Sequence, residues 1–354
     1  GLVQGCNVTS SDVVLSLEKM KKIIELDPIG RTMTVEAGVP LQTLQEEAEK
    51  HGLMFPLDLG ARGSCQIGGN VSTNAGGNRV IRFGMTRENI LGLEAVLPNG
   101  TVITSLNTMI KNNAGYDLKQ LFIGSEGTLG IVTKIVVRLR EAPKFMHTGI
   151  AAFNDFSQLS AFLRYIDREL GGALSAFEVM WNDYYSLVTS APATNKKPIA
   201  EDYPYYALFE ALGSDNETEA SMFQGIMEKS LENNLISDAV IAKSESERLS
   251  MWKLRDSVDE WFRYGPVFIY DVSLGIRHMK EYVKTVKQNL QKKWPNYKCF
   301  TVGHIGDGNI HFAIHVGGDT DAEHRAVNDC VYGPLKDIGG SVSAEHGIGV
   351  EKRD

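Results

Sequence analysis

The chain has 354 residues, 43% of them hydrophobic, with a formal net charge of −8. That length can bury a full core and predicts two domains, and an acidic chain without clustered Lys and Arg argues against nucleic acid as a partner. No apolar run approaches the roughly 18 residues of a membrane span, and Cys6, Cys65, Cys299 and Cys330 lack any Cys-x-x-Cys spacing, which reads as reduced thiols.

The sequence opens on Gly1-Leu2-Val3 without a Met, so a targeting segment cannot be judged, and both ends look cut inside motifs. Residues 23–26 and 32–36 read as strands around the turn Asp27-Pro28-Ile29-Gly30. A helix should follow, with Pro40 in its first turn, Leu41, Leu44 and Ala48 on one face and Gly52 as the stop. Residues 60–77 are dense in small side chains, which let main-chain amides approach a ligand such as a phosphate, or simply make a loop-rich corner. They do not fit the G-x-G-x-x-G fingerprint that opens a Rossmann helix. A hairpin is expected over 91–104 around Pro98-Asn99-Gly100. A second small-residue loop, 124–130, leads into a strand that alternates Ile131, Thr133, Ile135, Val137 and Leu139.

From 144 to 300 glycines thin out and helical periods lengthen. Helices are expected at 156–170 and 217–233, and strands at 205–209, 239–241 and 267–272, the mark of a separate α+β domain. The run Gly303-His304-Ile305-Gly306-Asp307-Gly308-Asn309-Ile310-His311 reads as a hairpin with Asp307-Gly308 in a type I′ turn. His304 then faces His311, with Asn309 on the same side and cross-strand Cβ atoms roughly 5 Å apart. That spacing suits a divalent ion such as zinc, with a third ligand from the adjacent carboxylate and imidazole of Glu345-His346. The bland alternative is a Gly-rich turn with two stacked structural histidines.

Taken together, Ile67-Gly68-Gly69-Asn70 with Asn74-Ala75-Gly76-Gly77, Gly115-Tyr116-Asp117-Leu118 followed by residues 121–130, the 303–311 hairpin and Ala344-Glu345-His346-Gly347-Ile348-Gly349 resemble the FAD-linked oxidases of the vanillyl-alcohol oxidase type. They are most similar to the branch holding D-2-hydroxyglutarate dehydrogenase, flavin D-lactate dehydrogenases and the glycolate oxidase catalytic subunit. The resemblance implies an α+β fold. A partial FAD-binding domain would occupy 1–142, with its N-terminal subdomain largely missing. An antiparallel-sheet substrate (cap) domain with flanking helices would cover 143–318, and a C-terminal segment returning to the flavin would begin at 319–354. FAD would be held by Ser64, Ile67, Gly68, Asn74, Gly76, Gly77, Glu126, Gly127, Gly130, Ile131 and Val132.

The same resemblance implies oxidation of a D-2-hydroxy acid to its 2-oxo acid by hydride transfer to flavin N5. His304, His311 and Glu345 would bind the metal, His346 would take the hydroxyl proton, and Asn309 and Arg255 would orient the substrate carboxylate. Members acting on D-2-hydroxyglutarate hold its distal carboxylate with an Arg, a Thr four residues on and a Lys beyond. Here Asp259 and Ile269 stand where the Thr and Lys are expected. Losing a cation and gaining a like charge in a closed pocket costs on the order of several kcal/mol, which favours a shorter or neutral-tailed acid. The electron acceptor would be a flavoprotein, quinone or cytochrome, and the location cytoplasmic or, in a eukaryote, mitochondrial; a homodimer is left open. Two alternatives remain: a flavin subunit of a multi-protein oxidase, and a non-catalytic metal-binding or interaction protein.

Overall fold

Antiparallel pairing organises both units of the structure, a computed structural model that describes residues 2–214 and 216–353. The first unit is Gly1–Ala142 with Glu345–Asp354, and the second is Pro143–Ala344.

In the first unit the strands run Ile23–Asp27, Thr32–Glu36, Ile131–Arg138, Ile90–Val96, Val102–Ser105 across one sheet. Asp27 closes the first turn by accepting the amide of Ile29 at 2.9 Å. Helix Leu41–Glu49 starts directly behind Pro40 and buries Leu41, Leu44 and Ala48 in one core with Met33, Val35, Ile135 and Val137. Full burial of each large aliphatic side chain contributes about 1.5–3 kcal/mol, so this stripe holds the helix to the sheet. Within the small-residue run, expected as a loop, Ile67–Ser72 forms a short helix.

The second unit is built on a sheet ordered Asp238–Ile241, Phe145–Phe153, Tyr205–Gly213, Leu174–Trp181, Lys298–His304, Asn309–His315, Phe268–Ser273, every neighbouring pair antiparallel. One face carries Ala176, Met180, Val302 and Ala313 under Tyr184, Trp252 and Trp261. Phe177 and Phe209 on the other face meet Phe162 of helix Phe156–Glu169. Asp155 starts that helix by accepting the amides of Ser157 and Gln158.

Two expectations are corrected here. Residues 319–344 do not begin the returning segment: helix Asp321–Tyr332 packs in the second unit, where Tyr282 donates to the Val331 carbonyl at 2.9 Å and Tyr270 to Asn328 at 2.6 Å. The 303–311 hairpin is not a two-residue type I′ turn. Ile305–Asp307 is a single 3-10 turn and only Gly308 is left-handed, at φ +93°. Val302, not His304, therefore faces His311. A slip of two residues preserves side-chain parity, so His304, Asn309 and His311 still share a face.

Candidate active site

Two cross-strand pairs of a carboxylate and an imidazole lie on one face of the second sheet. Strand Leu174–Trp181 is buried along its whole length, yet it carries Glu178, which pairs directly across to His304. Two strands further on, Asp271 pairs directly across to His311. Each imidazole thus has a buried carboxylate beside it: His304 Nδ1 lies 2.6 Å from Glu178 Oε1, and His311 Nδ1 lies 3.7 Å from Asp271 Oδ1. The two rings stand nearly perpendicular with centroids 5.2 Å apart, and both are almost fully buried.

Arg255 reaches the same face from the last turn of helix Glu245–Asp256, where a cation complements the carbonyl end of the helix. Tyr184 donates to the carbonyls of Leu254 and Arg255, at 3.2 and 2.8 Å, and so fixes that end. Arg255 Nε donates to Glu178 Oε2 at 2.7 Å, and its Nη2 lies 3.2 Å from His304 Nε2. Burial alone would raise the Glu178 pKa, but His304 and Arg255 hold it down to about 2. Arg255 likewise stays charged, because Glu178 more than offsets its desolvation.

Asn309 departs from the role expected of it. Its amide nitrogen donates to Asp271 Oδ1 and to the Val272 carbonyl, both at 2.9 Å, and two acceptors fix which way the amide points. What remains is Oδ1, buried and without a hydrogen-bond partner among the described residues. An acceptor cannot orient a carboxylate; it suits a hydroxyl or a cation. Asp259 is corrected too: it is exposed, so its charge is screened by water rather than held in a closed pocket, and Ile269 is half-buried against the core. The repulsion argument against a second carboxylate falls with it, while Ile269 still supplies no cation to hold one.

In the first unit the two small-residue loops are tied together. Gly124 and Glu126 donate their amides to the Val71 and Ser72 carbonyls, and Arg87 bonds the Gln120 and Ile123 carbonyls. Several residues assigned to FAD are occupied in holding this arrangement. The amides of Ile67 and Gly68 donate to Val39 and Ala37, and a Cβ on Gly68 would stand 2.6 Å from that of Ala37. A Cβ on Gly77 would fall 2.0 Å from the Asp58 carbonyl oxygen, and one on Gly130 2.9 Å from that of Val96. Asn74, left-handed at φ +49°, accepts the Arg87 amide, and Val132 is buried at the start of a strand beside half-buried Ile131. Glu126 accepts the amides of Ile348 and Gly349 at 2.7 and 2.8 Å, so it clamps the segment that carries Glu345 and His346. Gly76 faces Glu345, whose Oε1 would lie 2.6 Å from a Cβ placed there. Open space remains at Gly69 and Gly127, and Ser64 is exposed, which fits a dinucleotide lying along this edge.

Residues 142–354 match the family described as FAD linked oxidases, C-terminal domain, and residues 1–105 match the FAD binding domain family. The chain belongs to the FAD-linked oxidases. This family member is 38% identical over 353 residues to mitochondrial D-2-hydroxyglutarate dehydrogenase of Arabidopsis thaliana, covering 99% of the chain and 63% of that relative. It is 37% identical to D-2-hydroxyglutarate dehydrogenase of Xanthomonas citri pv. viticola, over 100% of the chain and 75% of the relative. A putative mitochondrial D-lactate dehydrogenase of Schizosaccharomyces pombe is 36% identical, with 100% and 69% covered. Among solved structures, alkyldihydroxyacetonephosphate synthase superimposes with a TM-score of 0.73 at 15% identity, over 92% of this chain and 62% of that one. p-Cresol methylhydroxylase gives 0.67 at 15%, over 92% and 71%. These two likenesses show the fold of this FAD-linked oxidase, the vanillyl-alcohol-oxidase-type α+β architecture.

Glu178 and Asp271 are the site residues that sequence reasoning missed. The signal was present: a lone carboxylate inside Ala-Phe-Glu-Val-Met-Trp and another inside Phe-Ile-Tyr-Asp-Val, each in a strand too apolar to carry a charge without a partner.

Proposed function

We propose that this FAD-linked oxidase is a dehydrogenase that oxidises a D-2-hydroxy acid, of the D-2-hydroxyglutarate or D-lactate class, to the 2-oxo acid. The observation that carries the reading is the buried pair His304 and His311, each beside its own carboxylate, with the Arg255 guanidinium next to them. The names of the relatives support the substrate class.

FAD, when bound, supplies the acceptor for the α-hydrogen and its electron pair. The donor set also fits a divalent ion, since ligand histidines characteristically turn their second ring nitrogen to a carboxylate. An ion held by His304, His311 and Glu345, zinc being well matched to such donors, would supply Lewis acidity at the substrate hydroxyl. Asp271 also accepts the amide of Ala344 at 3.1 Å. His346 receives the hydroxyl proton. Arg255 offers its Nη end to the substrate carboxylate, its Nε edge being held by Glu178. Asn309 Oδ1, a buried acceptor, is suited to the cation side of the site rather than to orienting the carboxylate.

Zinc content and turnover of His304→Ala and His311→Ala in the intact protein test this. Both should lose the metal and the activity together. Retention of both in folded protein overturns the assignment.

A further inference from the structure

Glu178, His304 and Arg255 close a ring of contacts. Glu178 Oε1 meets His304 Nδ1 at 2.6 Å, Glu178 Oε2 meets Arg255 Nε at 2.7 Å, and Arg255 Nη2 meets His304 Nε2 at 3.2 Å. The three come from two adjacent strands, both paired on both sides, and one helix end. Glu178 is wholly buried, and the two groups it holds are nearly so.

We propose that Glu178 is a positioning residue: one carboxylate aims both His304, as its Nδ1–H tautomer, and Arg255 at the substrate side. The proposal rests on the function put forward above and deepens it. An ionised carboxylate only accepts, so the proton of the short contact lies on Nδ1 and the Nε2 lone pair is the one turned to Arg255 or, in its place, to a ligand. Two oxygens in one plane serve two donors at fixed directions. No other side chain does the same from position 178. Asp is one methylene too short. Gln offers one acceptor and one donor, so if its oxygen keeps Arg255 Nε, its NH2 must donate to His304 Nδ1. That drives the proton to Nε2, where it opposes Arg255 Nη2 and removes the lone pair.

Nitrogen-15 NMR of the imidazoles in the metal-free intact protein, with His304 assigned through His304→Asn, reads this directly. Wild type should show His304 protonated at Nδ1, and Glu178→Gln should move the proton to Nε2 and weaken zinc affinity by about 10- to 100-fold. If Glu178→Gln fails to fold, the apolar pair Glu178→Leu with Arg255→Met replaces it, and there the Nδ1–H tautomer should no longer be fixed. A folded variant of either kind that keeps the Nδ1–H tautomer and wild-type zinc affinity overturns the proposal. Loss of the tautomer alongside zinc binding that His304→Asn leaves untouched supports the positioning role and overturns the metal assignment instead.

Discussion

Glu178 and His304 are direct cross-strand neighbours whose Oε1 and Nδ1 lie 2.6 Å apart in the interior of a seven-stranded sheet. Burying a carboxylate is costly unless it is paired and hydrogen-bonded, and here an imidazole on the next strand and a guanidinium from a helix end meet its two oxygens. The arrangement recurs at Asp271 and His311 across another strand pair. The groups of the proposed site are therefore set by sheet register, which holds such groups more firmly than loops do.

Acid should unfold the second unit partly through Glu178. Its pKa is held at about 2, below the ordinary 4.5. A group depressed in the folded state contributes stability that is complete above its unfolded value and lost as pH falls towards the folded one. Denaturant midpoints should thus drop between about pH 4.5 and about 2, and Glu178→Gln should show a shallower pH slope across that window.

Removing only the cation should be worse than removing the pair. Arg255→Met leaves Glu178 buried without one of its partners and should cost about 3–5 kcal/mol, whereas Glu178→Leu with Arg255→Met should recover most of that. Urea unfolding followed by tryptophan fluorescence checks both.

Glu126 should act on one segment rather than on the whole fold. Its carboxylate accepts the Ile348 and Gly349 amides, and hydrogen bonds to a charged acceptor contribute about 1.5–3 kcal/mol each. Glu126→Ala should speed amide hydrogen exchange at those two residues with little change at the first-unit core. Glu126→Gln, which keeps one acceptor, should fall between.

The glycines separate into packing and open positions. Gly77→Ala would drive a methyl into the Asp58 carbonyl and should destabilise by about 1–3 kcal/mol or more. Gly69→Ala lies in the helix Ile67–Ser72 and meets nothing within 4 Å, so it should hold or slightly raise the melting temperature, while FAD affinity falls if the flavin lies along that edge.

Much of the fold was legible in the sequence because its cues were local. The turn at Asp27-Pro28, the helix behind Pro40 and the helix at Phe156–Glu169 each follow from turn residues, a cap or an apolar period. The shared face of His304, Asn309 and His311 came through even though the turn was misjudged, because a two-residue slip keeps parity. Glu178 and Asp271 did not come through. Their roles depend on which strands lie next to each other, with Leu174–Trp181 and Lys298–His304 far apart in the chain, and period-2 patterning says nothing of that. Within 67–77 a packing glycine such as Gly77 and an open one such as Gly69 look alike in sequence until the neighbouring chain is placed.

The most direct test is anaerobic reduction of the flavin in the intact protein by paired D- and L-2-hydroxy acids, with and without a chelator. D-2-hydroxyglutarate or D-lactate should bleach the flavin, the L-enantiomers should not, and the chelator should abolish the reaction until zinc is restored. Bleaching that ignores configuration, or that persists undiminished after the metal is removed, would contradict the account.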